Sequence, residues 1–239
     1  MLKLIGFDGD DTLWHSEGYY RQASARFTEI VAHYVDVGDS HVQASMLATE
    51  KRNLKLFGYG AKGMTLSMVE TAIAITEGRI CATDIHQLVE IGKTILQHPV
   101  ELLPGIRDAV AAVAEHHDVV LITKGDLFHQ EKKVAQSGMA DVFHRIEIVS
   151  EKDTATYRRV LDEFSLEPAQ FAMVGNSLRS DIEPVIRLGG WGVHMPYHVT
   201  WAHELENGLG EADAPRMLTV DEPSAIPAAI AQLAQRAAS

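Results

Sequence analysis

The sequence predicts an α/β fold, a doubly wound parallel sheet with an inserted all-helical subdomain. Short β-rich runs recur at 3–8, 118–123, 144–150, 171–175 and 191–195. Segments with helical spacing separate the later runs, and strands alternating with helices argue for a parallel sheet covered on both faces. Between the first and second runs, residues 16–99 read as a series of helices with no convincing strand, which is too long for a simple crossover.

The first run, Leu4-Ile5-Gly6-Phe7, is continuously apolar, as a strand buried on both faces requires. After Pro104-Gly105, Ile106, Val110, Val113 and Ala114 share one helical face. From about Asp153, Tyr157, Val160, Leu161 and Phe164 do the same. Within 16–99, four helix-like runs (21–35, 41–57, 65–76 and 85–96) carry Ala, Leu and Met on recurrent faces. The glycine-bearing stretch 57–65 reads as a loop among them. The expected organisation is an α/β core of residues 1–15 and 100–239 with an inserted helical subdomain of 16–99, and a short last helix in 223–239. No repeat or low-complexity tract interrupts it.

A formal charge of −12, with 46% apolar and 23% charged residues, describes an ordinary globular chain whose surface repels nucleic acid and anionic membranes. No apolar run approaches membrane-spanning length. The single cysteine, Cys81, rules out an internal disulfide and suggests a reducing compartment, so a cytoplasmic protein is expected. Cys81 itself reads as a structural residue. The twelve histidines are scattered, with no spacing that suggests zinc.

Parallel sheets bind ligands beyond the carboxyl ends of their strands. Chemistry-bearing residues gather at those ends. Asp8, Asp10 and Asp11 follow the first run, and Thr123-Lys124-Gly125 follows the second. Lys152 opens the helix after the third, and Gly175-Asn176-Ser177 with Asp181 closes the fourth. Asp8 and Asp10 are two apart, so continued strand geometry aims both to one side. One carboxylate can attack while the other moves protons. Two acids so close need a cation, and Mg²⁺ suits oxygen ligands in a phosphate site. The Thr123 hydroxyl and the backbone N–H groups of the following turn, at Lys124 and Gly125, offer donors to phosphate oxygens. Asp11 suits a backbone role in the turn.

These residues resemble the motifs of the haloacid dehalogenase-like hydrolases: Asp8-Gly9-Asp10-Asp11-Thr12, Thr123, Lys152, and Gly175-Asn176-Ser177 with Asp181. The resemblance covers the whole chain, with the helical insertion as the family's cap. It implies that Asp8 is a nucleophile forming an aspartyl-phosphate, and that Asp10 is the acid and base. It also implies that Thr123 binds a phosphoryl oxygen and that Lys152 damps negative charge. Mg²⁺ would be held by the Asp8 carboxylate, the Asp10 carbonyl and Asn176 or Asp181. Asn176 stands where the family most often has Asp, so its oxygen carries no charge. Asp10 favours a phosphatase or phosphotransferase over a dehalogenase, because members that dehalogenate lack an acid there.

The implied function is a Mg²⁺-dependent phosphatase acting on a small phosphorylated metabolite, as a monomer or homodimer. A phosphotransferase of the sugar-phosphate mutase kind, or a non-catalytic binding protein with this fold, are the alternatives. In the expected cap loop, Lys62 and Tyr59 are candidates to reach the substrate, and Lys124 and Arg179 have similar standing. The stretch 195–204 reads as a loop over the core.

Overall fold

In the computed structural model, which describes residues 1–36, 38–198 and 208–238, strand β1 (Leu4–Phe7) lies at the centre of a parallel sheet. Around it stand β2 (Asp118–Lys124), β3 (Arg145–Val149), β4 (Phe171–Gly175), β5 (Trp191–His194) and β6 (Met217–Thr219), in the order β3-β2-β1-β4-β5-β6. The chain winds one way from β1 to β3 and the other way from β4 to β6. The crevice at the carboxyl ends of β1 and β4 is therefore the switch point, where such sheets place ligands.

Alternation along the strands divides the core. Ile5, Phe7, Val119, Leu121, Ala172 and Val174 pack on one face with α5 (Ile106–Ala114), α6 (Leu127–Ser137) and α9 (Ile226–Arg236). Leu4, Val120, Ile122, Phe171 and Met173 pack on the other with α7 (Thr154–Glu163) and α8 (Glu183–Arg187). Gly6 makes this second face possible, since a Cβ there would lie 2.7 Å from the Met173 sulfur and 2.8 Å from the Phe171 ring. Three elements depart from the sequence reading: helix α6, which showed no apolar period, the short α8, and the short, half-exposed β6.

The chain divides into two compact units, residues 1–17 with 100–239, and residues 18–99. The second is helical, built by α1 (Glu17–Ala32), α2 (Asp39–Phe57), α3 (Ala61–Ile75) and α4 (Ala82–Gln97). Phe27, Val31, Met46, Met68 and Leu88 form its core. The expected loop at 57–65 is shorter than the glycines suggested. Only Gly58 and Gly60 adopt positive φ, 70° and 111°, and α3 begins at Ala61. Gly63 is helical, and a Cβ on it would meet the Gly58 carbonyl at 2.9 Å, so close packing explains this glycine. Cys81, expected to be structural, is exposed just before α4, and its backbone N–H donates to the Tyr34 hydroxyl at 3.1 Å. Among the described residues no helix is long and apolar enough to cross a membrane.

Burial pushes the Glu50 carboxyl on α2 up to about 7. The unfolded chain releases this proton near the ordinary glutamate value, so burial of the charge costs stability as pH rises from there to about 7. Glu50→Gln should therefore stabilise the protein by about 1–3 kcal/mol at pH 8 and leave it unchanged at pH 4. Urea unfolding at the two pH values checks this, and equal effects at both would contradict it.

Candidate active site

The chain leaves strand geometry immediately after Phe7. The N–H groups of Leu13 and Trp14 turn back to the Gly9 carbonyl at 2.7 and 3.3 Å, and Asp11 takes a φ of 61°. Asp11 closes the turn as expected of a backbone residue. Its carboxylate accepts from the Ser16 N–H at 2.8 Å and from the Glu17 N–H, where α1 begins.

A turn, and not the continued strand expected, carries Asp8 and Asp10, and their carboxylates have different partners. Asp8, 6% exposed, accepts from the Lys152 ammonium at 2.5 Å through Oδ1 and from the Thr12 hydroxyl at 3.1 Å through Oδ2. Asp10 belongs to another set of partners. Trp14 Nε1 donates to its Oδ1 at 2.6 Å, Gln130 Nε2 to its Oδ2 at 2.9 Å, and Lys133 Nζ to both oxygens at 2.7 and 3.0 Å.

The fourth motif folds around Gly175. A π-helical turn, Leu178–Ile182, brings Asp181 back so that its Oδ1 accepts from Lys152 at 2.6 Å and its Oδ2 from the Ser177 N–H at 3.0 Å. A Cβ on Gly175 would lie 2.3 Å from the Asp181 carboxyl carbon. Gly175→Ala should therefore drive Asp181 off Lys152 and cost about 2–4 kcal/mol, read as a fall in Tm. An unchanged Tm would mean that Asp181 has room to move.

Lys152 thus lies between two buried carboxylates. Contrary to the sequence reading it does not open a helix: Asp153 caps α7, and Lys152 precedes that cap, 4% exposed. Burial pushes the Asp8 carboxyl up to about 7; the ammonium works against this and Asp181 reinforces it. Burial would also raise Asp10. The Lys133 charge and the hydrogen bonds from Lys133, Gln130 and Trp14 outweigh it and hold this carboxyl below the usual range.

Asn176 is the remaining oxygen donor. Nitrogen inward, its amide donates to the Asp10 carbonyl at 3.2 Å, to Asp8 Oδ2 at 3.2 Å and to Thr12 Oγ1 at 3.3 Å. Oxygen inward, it accepts from the Thr12 hydroxyl at 3.3 Å but sets lone pairs against Asp8 Oδ2 and the Asp10 carbonyl, unless a cation lies between them. The Asp8 carboxylate, the Asp10 carbonyl and the Asn176 amide form a donor set that fits a hard divalent cation. Asp181 is committed to Lys152 and Ser177 through both oxygens, so it fits a supporting role. Among the described residues no group of three His, Cys, Asp or Glu side chains suits a metal.

The second motif is equally engaged. Thr123 is buried, and its hydroxyl accepts from Gln130 Nε2 at 3.1 Å. Lys124 Nζ reaches the Ser180 hydroxyl at 2.8 Å and stands 3.7 Å from Glu151. The Gly125 N–H, expected to face phosphate, donates to the Val149 carbonyl at 3.4 Å, because Gly125 (φ 138°) still runs beside β3. Lys62 and Tyr59 lie in the helical unit, with Lys62 exposed on the first turn of α3. Arg179 falls in the π-helical turn. Of the stretch 195–204, residues 199–204 lie outside the described residues. Before them, Tyr197 hydrogen-bonds His15 at 2.7 Å.

Sequence reasoning missed Trp14, Gln130 and Lys133. The one available signal was Asp126, whose side chain accepts from the His129 N–H and caps α6.

The profile of the hydrolase family described as haloacid dehalogenase-like hydrolase matches residues 2–189. The crystal structure of a haloacid dehalogenase-like family hydrolase from Xanthomonas campestris is 56% identical, covers 99% of this chain and 94% of its own, and superposes with a TM-score of 0.89. Two more distant structures share the fold. A predicted phosphoglycolate phosphatase from Haemophilus somnus 129PT is 18% identical over 94% of this chain and 96% of its own, with a TM-score of 0.61. A 2-haloacid dehalogenase from Pseudomonas syringae pv. tomato DC3000 is 19% identical over 97% and 99%, with a TM-score of 0.62. No curated protein matches the sequence. On the profile match and the 56% identity over nearly its full length, the chain belongs to the haloacid dehalogenase-like hydrolases.

Proposed function

We propose that this hydrolase is a Mg²⁺-dependent phosphatase that cleaves a small phosphorylated metabolite through an aspartyl-phosphate on Asp8. The observation that carries this reading is the second carboxylate. Asp10 is built into the turn that bears Asp8 and is held by Trp14, Gln130 and Lys133. Breaking a phosphate ester leaves an alcohol oxygen that needs a proton, whereas expelling halide from carbon does not. Asp10 therefore has a use in phosphate chemistry that it lacks in dehalogenation.

In the first step an Asp8 oxygen bonds to phosphorus as the ester P–O bond breaks, and the Asp10 carboxyl gives its proton to the departing oxygen. In the second, water bonds to phosphorus as the Asp8–phosphorus bond breaks, and Asp10 takes the proton back. The donors around Asp10 favour its ionised form, which the second step requires. A bound phosphate dianion, as a nearby like charge, raises its proton affinity for the first. Lys152, 2.5 Å from Asp8, offsets charge that builds on Asp8 and the phosphoryl group. The Thr123 hydroxyl, which accepts from Gln130, would donate to a phosphoryl oxygen. Asp8, the Asp10 carbonyl and Asn176 would hold Mg²⁺, which supplies further neutralisation of phosphoryl charge. The lone, exposed Cys81 and the absence of cysteine pairs support a cytoplasmic setting. We take the active species to be a monomer or homodimer.

The test is phosphate release from a panel of phosphorylated metabolites, with and without Mg²⁺, beside halide release from 2-haloacids. Metal-dependent phosphate release is the expected result. Halide release without phosphate release would overturn the reading.

A further inference from the structure

Two side chains of α6 converge on Asp10. Gln130 and Lys133 are 2% and 8% exposed, although both are polar. Lys133 Nζ donates to both Asp10 oxygens, at 2.7 and 3.0 Å. Gln130 Nε2 lies 2.9 Å from Asp10 Oδ2, 3.1 Å from the Thr123 hydroxyl and 2.8 Å from the Lys124 carbonyl. With Trp14 on Oδ1, each oxygen of Asp10 meets two donors, so the carboxylate is fixed in one orientation. The single Gln130 nitrogen also ties the turn after β1 to the end of β2. Stability alone does not call for this. Burying an ammonium and an amide is costly, apolar side chains of similar size usually serve a core as well or better, and the Gln130 oxygen is buried with no partner.

We propose that Lys133 and Gln130 are positioning residues for Asp10. They hold its carboxyl where it exchanges a proton with the leaving oxygen and then with the attacking water. The inference rests on the phosphatase reading and adds to it the residues that aim the acid. Positioned acids and bases contribute roughly 10²–10⁴-fold, and misplacement forfeits part of this.

The test compares Lys133→Met, Gln130→Leu and Lys133→Arg with the wild type on glycerol 2-phosphate and p-nitrophenyl phosphate. For each substrate kcat/KM reports phosphoryl transfer to Asp8, which needs a proton donor for the alcohol and hardly any for nitrophenolate. The Met and Leu variants should lose about 10–100-fold in kcat/KM on glycerol 2-phosphate and less than about threefold on p-nitrophenyl phosphate. Because water attack also needs Asp10, both variants should show a nitrophenolate burst and accumulate phosphorylated protein. Lys133→Arg, which keeps paired donors, should restore most of the loss. If Lys133→Met does not fold, Gln130→Leu and Lys133→Arg carry the same comparison. Equal losses on both substrates without a burst would reduce the pair to a structural role and overturn the proposal, as would unchanged kinetics. A wild type that hydrolyses neither substrate would overturn the phosphatase reading, and this inference with it.

Discussion

Asp8→Asn is expected to lower turnover at least about 10⁴-fold while the protein keeps its fold. The amide is isosteric, but its nitrogen and neutral oxygen are poor nucleophiles toward phosphorus. The fold should survive because Lys152 retains Asp181 at 2.6 Å and because the substituted amide can turn its oxygen to Lys152 and donate from its nitrogen to the Thr12 hydroxyl oxygen. Removing the charge also relieves part of the strain of two buried carboxylates around one ammonium, so a Tm equal to or above that of the wild type is expected. The check is steady-state phosphate release together with acid-quenched detection of phosphorylated protein. Substantial residual turnover would exclude Asp8 as the nucleophile, and with it the aspartyl-phosphate route.

Lys152→Met carries the largest expected effect on stability, about 3–5 kcal/mol at pH 8. It leaves Asp8 and Asp181 facing one another, with side-chain exposures of 9% and 1% and no cation between them. The methionine fills the volume, so the loss is electrostatic. Its sign with pH follows from Asp8, which burial already pushes up to about 7 with Lys152 in place. Without the lysine that value moves higher still. The unfolded chain gives up the proton near the ordinary aspartate value, so the folded variant is penalised increasingly as pH rises above it. Lys152→Met should therefore approach wild-type stability near pH 4 and fall furthest behind in alkaline solution, with activity lost throughout. Millimolar Mg²⁺ should recover part of the stability at pH 8 by supplying a replacement cation beside Asp8. Guanidinium unfolding across pH, with and without the metal, measures this. A deficit independent of pH would mean that Lys152 contributes packing alone.

The two halves of the site differ in how far the sequence revealed them. Asp8, Thr123 and Asn176 each close or follow an apolar run, and such runs mark strand ends wherever a parallel sheet is buried on both faces, while Lys152 follows the half-buried edge strand β3. Their clustering at one rim follows from parallel pairing, which puts all carboxyl ends on the same side. Division of labour between Asn176 and Asp181 was not legible. It depends on a π-helical turn that brings Asp181 to Lys152, and on a glycine at 175 whose missing Cβ admits it. Nor were the separate partners of Asp8 and Asp10, because the strand stops at Phe7 and a turn carries both residues.

What the sequence determined by itself was the architecture: apolar runs of strand length, helices between them, and a helical block that no crossover can absorb. Hydrophobic burial is local and periodic, so it leaves a trace in the order of residues. Tertiary structure alone decided the surroundings of Asp10. Helix α6 turns His129, Gln130, Lys133 and Ser137 inward with Val134, so its buried face is polar and has no apolar period to read. Those side chains are buried because the carboxylate they meet comes from a turn more than a hundred residues earlier in the chain. Such a pairing depends on the distance and direction between two charged groups, and those exist only once the sheet has brought β1 and β2 side by side.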